Sequence, residues 1–156
     1  MPKFPDGLTT EFLFDTDISL APAENHGATP LGRRSVHIVT GGTFEGPQLR
    51  GTFLPGGGDW LLSYPDGANV LDVRATMRTD DGALILLSYH GILDLGAHVA
   101  TRALAGEEVD PSQYYFRTSP RFETGASAYA WLNKLVCVGV GWFGPQRVGY
   151  RVFAVR

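Results

Sequence analysis

Twenty glycines and ten prolines, spread along 156 residues, leave this chain almost no uninterrupted stretch in which a long helix could grow. That density of breakers excludes a helical bundle or a coiled coil. It does not signal disorder, because 44% of the residues are hydrophobic and 12% aromatic, enough to build a packed core. Between the breakers lie short apolar or alternating runs: Leu8 to Ala21, Arg33 to Thr40, Gln48 to Leu54, Trp60 to Tyr64, Val70 to Arg78, Ala83 to His90, Leu135 to Val140 and Val148 to Val155. Asp80-Asp81-Gly82 between two such runs is the strongest hairpin signal, and Pro65-Asp66-Gly67 is a further turn. Pro22 to Leu31 reads as a polar loop, and Gly41-Gly42 as the turn ending its strand. Helix is confined to Asp94 to Gly106 and Ala126 to Lys134. Roughly eight to ten strands at such spacings predict an all-β fold: a single antiparallel β-barrel domain over residues 1–156, with little helix.

The formal charge of −3 lacks the basic footprint of a nucleic-acid binder, so no such partner is expected. A lone cysteine, Cys137, rules out an intrachain disulfide and a cysteine zinc cage. His26, His37, His90 and His98 show no i, i+4 helix pair and no His-x-His, so no metal site is expected. Met1 to Asp6 has no apolar signal core and no run approaches 18 apolar residues, which predicts a cytoplasmic protein without a membrane partner. Gly139-Val-Gly-Trp-Phe-Gly144 matches a dinucleotide-binding pattern, but Pro145 and another strand follow where a helix is required. Gly125-Ala-Ser127 lacks the second glycine of a nucleophile elbow.

Ala83, Ile85, Leu87 and Tyr89 share one strand face, with Leu84 and Leu86 on the other. Apolar residues on both faces of a barrel strand call for a cover, and with so little helix the expected cover is another subunit, in a dimer or trimer.

Several polar residues stand at places where chemistry or structure could use them. Asp59 follows three glycines and precedes Trp60; it is either a desolvated acid/base at a barrel rim or a cap of its own turn. Asp72, Arg74, Thr76 and Arg78 form one stripe, read either as a solvated face or as a polar cavity wall in which Asp72 and Arg74 orient a substrate. Glu123 lies near Arg117 and Arg121, as a base or as half of a surface ion pair. Trp60, Trp131, Tyr89, Tyr114 and Tyr115 suit a pocket for a planar ligand, or simply a core. Arg33 and Asn133 are candidate orienting groups.

Gly32-Arg33, Gly41-Gly-Thr-Phe-Glu-Gly-Pro47, Leu54-Pro-Gly-Gly-Gly-Asp-Trp60, Thr79-Asp-Asp-Gly-Ala83, Tyr115-Phe-Arg117, Phe122-Glu-Thr-Gly125 and Trp131-Leu-Asn133 together span nearly the whole chain. In this order they resemble the DUF3237 (UPF0311) family of small bacterial and fungal proteins. The resemblance implies a barrel similar in outline to lipocalins and allene oxide cyclase, and relatives with such barrels include cofactor-free cyclases, isomerases and lyases. Gly58 stands where the family pattern has Ala or Ser, and Ala97 to Glu108 is longer than that pattern, an expected lid over a barrel mouth.

The expectation is therefore a cofactor-independent acid/base enzyme (isomerase, cyclase, lyase or hydratase) acting on a small apolar or aromatic carbonyl compound. Asp59 would be the acid/base, Glu123 a second acid/base or its orienter, and Tyr89 the donor to developing oxyanion charge. Trp60, Asp72, Arg74, Tyr114, Trp131, Asn133 and Arg33 would contact the substrate. The alternatives are a lipocalin-like carrier without chemistry and a structural oligomer.

Overall fold

A computed structural model describes residues 1–156. Eleven strands belong to one antiparallel sheet: β1 (Thr10–Leu20), β2 (Glu24–Thr29), β3 (Gly32–Glu45), β4 (Arg50–Phe53), β5 (Gly58–Ser63), β6 (Asn69–Thr79), β7 (Leu84–Asp94), β8 (Tyr115–Thr118), β9 (Arg121–Glu123), β10 (Cys137–Gly144) and β11 (Arg147–Val155). The pairings β3–β5–β6–β7–β8–β10–β11–β1–β3 return to their start, so the sheet closes as an eight-stranded barrel. β4 takes up the position of β5 further along β3 and β6, and β9 that of β8 along β7. Closure leaves few unpaired edges. Helix is limited to α1 (Gly96–Leu104) and the 3-10 turns Pro111–Gln113 and Ser127–Lys134; the first and last fall within the two windows left open by the sequence, and the short Pro111–Gln113 turn lies outside them.

Gly41-Gly42 does not turn the chain; β3 runs through both to Glu45. Gly42 sits at φ +144°, and a Cβ there would meet the Asp17 carbonyl oxygen at 2.4 Å, so the glycines let β3 bend closely against β1. Glu24–Thr29 is a strand rather than a loop; it pairs with β3 alone and is held by backbone bonds, without an apolar face. Thr79–Ala83 forms the expected tight hairpin, with Gly82 at φ +92°.

The interior divides into two halves. At one end Phe14 lies edge-on to Phe44 (5.9 Å) and Phe122 (5.7 Å), with Phe44 against Phe53 (5.8 Å). Met77, Ile85 and Leu132 fill the remaining space, and all three are fully buried. The other end, toward the β10–β11 turn, encloses a cavity. Gly141 lets the cavity-lining Phe116 pack directly on β10: a Cβ there would lie 2.6 Å from the Phe116 ring. Gly141→Ala is thus expected to lower stability by about 1–3 kcal/mol through overpacking. A urea titration giving a change below about 0.5 kcal/mol would mean that Phe116 yields without cost.

On β7, Ile85, Leu87 and Tyr89 point inward while Leu84 and Leu86 stay exposed on the outer face. No helix is long and apolar enough to cross a membrane.

Candidate functional site

The cavity has a volume of about 290 Å³, near the lower limit for small-molecule pockets. Its wall is mostly aliphatic and aromatic, including Leu71, Val73, Leu87, Phe116 and Phe143. The polar residues of this surface are His37 on β3, Asp59 on β5, Tyr89 on β7, Tyr150 and Arg147 on β11, and Gln146 in the β10–β11 turn, where Arg147 is paired with Asp17.

Asp59 is put there by strand alternation. It opposes Val73 on β6 and His37 on β3, and the β5–β6 ladder then skips to Leu62–Val70. In that gap the Asp72 backbone N–H donates to Asp59 Oδ1 at 3.0 Å, so a side chain substitutes for a missing ladder acceptor. Oδ2 has no protein partner. Burial pushes the carboxyl up to about 7, and the Asp72 N–H and the Arg34 charge oppose this rise only partly, while the Asp72 charge adds to it. A carboxyl with that value is part acid and part base at neutral pH.

Tyr89 and Tyr150 stack edge to face with their ring centres 5.2 Å apart. Burial raises both phenols far above their ordinary value, and the Asp59 charge raises them further. Both therefore remain protonated donors. His37 is held by a 3.1 Å hydrogen bond between its Nε2 and Ser35 Oγ, and burial lowers its pKa, so its ring is neutral at pH 7.

The remaining sequence candidates lie elsewhere. Trp60 follows Asp59 on the same strand and so points to the outer face, with 39% of its surface exposed. Asp72 and Arg74 are also outside, paired with each other at 2.9 Å; their stripe is the solvated face. Only the backbone of Asp72 reaches the site. Glu123 is exposed and lines a separate outer depression with Thr76, Leu84 and Leu86, so it does not meet Asp59. Asn133 clamps a loop, its Oδ1 accepting from the Thr124 N–H (2.8 Å) and its Nδ2 donating to the Thr124 carbonyl (2.9 Å). Trp131 packs on the core from the Ser127–Lys134 turn, Arg33 is exposed, and Tyr114 buttresses Phe143 from behind at 5.2 Å. The expected lid forms α1 at the cavity end, anchored by Val99, but none of its side chains lines the cavity. Tyr150 and His37 escaped the sequence reading. The alternation of Ser35, His37 and Val39 on one face was the available signal for the second.

Solved structures share this barrel. A β-barrel-like protein of Acinetobacter baumannii superposes with a TM-score of 0.87 at 34% identity, covering 99% of this chain and 100% of that one. A conserved protein of unknown function from Rhodopseudomonas palustris gives 0.91 at 31%, covering 97% and 100%. An enzyme of Penicillium herquei superposes at 0.72 with 21% identity and full coverage of both chains, a likeness of fold. In sequence, a UPF0311 protein of Clostridium acetobutylicum is 39% identical over 125 residues, 80% of this chain and 79% of that protein. A hydroalkoxylation enzyme of Penicillium herquei is 25% identical over 129 residues, 83% of this chain and 71% of the enzyme. The family model described as "Protein of unknown function (DUF3237)" matches residues 8–155, and the chain belongs to that family.

Proposed function

We propose that the protein is an acid/base enzyme that adds a hydroxyl group across a carbon–carbon double bond of a small, largely apolar or aromatic substrate. One observation carries the reading: Asp59, with its pKa raised to about 7, faces a largely apolar cavity. Similarity to a hydroalkoxylation enzyme supports this choice within the wider group of isomerase, cyclase, lyase and hydratase reactions, all of which need the same proton transfer.

Protonated Asp59 gives its proton to one alkene carbon as positive charge develops on the other. The substrate hydroxyl oxygen attacks that second carbon and forms the C–O bond. The hydroxyl proton finally returns to the Asp59 carboxylate, so the enzyme is restored and no atom is gained or lost. Tyr89 and Tyr150 donate hydrogen bonds to a carbonyl or hydroxyl oxygen of the substrate and fix its orientation. The aliphatic wall keeps out water, which would otherwise capture the cation and give a hydrated product.

The test is turnover of a panel of hydroxylated alkenes, 2-allylphenol and its methyl-substituted relatives among them, by wild type and by Asp59→Asn. Asparagine can still accept from the Asp72 N–H, so the fold is retained. A loss of about a hundredfold or more in kcat is expected, with ligand affinity changed only a few-fold. Undiminished turnover by Asp59→Asn would remove Asp59 from the chemistry. Tight binding without turnover by either protein would favour the carrier reading, which the apolar cavity also accommodates.

A further inference from the structure

We propose that His37 is the hydroxyl-recognising base of this cavity, taking the proton that leaves the substrate oxygen while Asp59 serves the carbon. This inference rests on the reaction argued above and assigns its second proton-transfer group, the role that Glu123 is too remote to fill.

The geometry comes from the β3–β5 ladder. His37 and Asp59 are direct cross-strand partners, and both side chains line the cavity. Directly opposed residues on one face have their Cβ atoms about 5 Å apart. Yet each group is anchored away from the other, His37 by Ser35 Oγ and Asp59 by the Asp72 N–H. Tyr89 and Tyr150 line the same cavity. A hydroxyl and an alkene held on one substrate fit a paired site of this kind, with one group for each reacting centre.

Ser35 determines which ring nitrogen is available. The proposed role requires the tautomer in which Nε2–H donates to Ser35 Oγ, which leaves the lone pair on Nδ1 free to accept. In the reaction the O–H bond breaks toward Nδ1 as the C–O bond forms, and Asp59 has by then delivered its proton to carbon. The resulting imidazolium and carboxylate stand side by side on paired strands, and transfer of that proton from His37 to Asp59 restores the starting state. Burial supports this assignment because it keeps the free imidazole neutral and ready to accept.

Calorimetric titration of 2-allylphenol and its methyl ether, 2-allylanisole, separates the roles, because only the phenol can donate a proton. Wild type is expected to bind the phenol roughly tenfold more tightly than the ether, the worth of one well-formed hydrogen bond. His37→Leu should bring that ratio close to one by weakening the phenol alone, and Asp59→Asn should preserve it. If the leucine variant does not fold, His37→Gln serves, since it retains a polar end beside Ser35, and an intermediate ratio is expected. A wild type that binds neither compound, or both equally, overturns the assignment, as does a full phenol preference in the His37 variants. Failure of the reaction itself has a different signature: phenol preference dependent on His37, with turnover absent or indifferent to Asp59→Asn.

Discussion

Asp59→Asn is expected to make the protein more stable than wild type at pH 8, with the advantage vanishing near pH 4. In the folded chain this carboxyl is held at about 7, against about 3.9 when unfolded. Between these values the folded state binds more protons than the unfolded state, so stability falls as pH rises through the window and levels off above it. Each factor of ten in proton affinity corresponds to about 1.4 kcal/mol, which puts the cost of ionising Asp59 in place at about 2–4 kcal/mol at pH 8, after allowance for partial contact with solvent. Asparagine carries no such cost and still accepts the Asp72 N–H. Urea titrations at pH 5, 6, 7 and 8 on both proteins measure the difference, and parallel curves would show that Asp59 ionises freely in the folded state.

The same residue shows what could be read from the chain and what could not. Asp59 stands out in the sequence because three glycines precede it, and those glycines do shape a sharp approach to β5: a Cβ on Gly57 would meet the Arg74 carbonyl oxygen at 2.3 Å. Its pairing with Trp60 was misleading, since neighbours on a strand face opposite ways and the indole was bound to lie outside. Period-two patterning located β1, β6, β7 and β11 and put Tyr89 indoors, because each long strand has a clear buried face. It could not find β2, whose polar residues bury nothing, or β8 and β9, which are four and three residues long. The conjunction of His37, Asp59, Tyr89 and Tyr150 depends on how four strands close on themselves. Barrel closure is a long-range property that no single run expresses, and so an isolated His37 looked like a poor metal ligand rather than a partner for an acid. Glu123 failed for the complementary reason: it sits on the face of a short strand opposite Phe122, and burial of that phenylalanine commits the glutamate to water.

Phe14→Ala should be the most destabilising single substitution in the barrel, at about 3–5 kcal/mol. The ring is fully buried and meets two others edge to face, so its removal loses both transfer energy and the aromatic geometry. Phe44 and Phe122 are pinned to separate strands and cannot collapse into the space, which would remain a void in the closed half of the molecule. A typical domain has only 5–15 kcal/mol in total, so a large share of its stability would go. Phe143→Ala provides the contrast. That ring is partly exposed and already borders a cavity, so its loss enlarges an existing space rather than opening a new one, and a cost below about 2 kcal/mol is expected. The two halves of the interior thus have different duties. The phenylalanine-filled end supplies the cooperativity that keeps the ring of strands closed, and that closure holds Asp59 and His37 in position at the other end, where the packing is left incomplete. If denaturant titrations gave Phe14→Ala and Phe143→Ala equal costs, this division of the barrel would be wrong, and the cavity lining would be bearing as much of the fold as the aromatic plug.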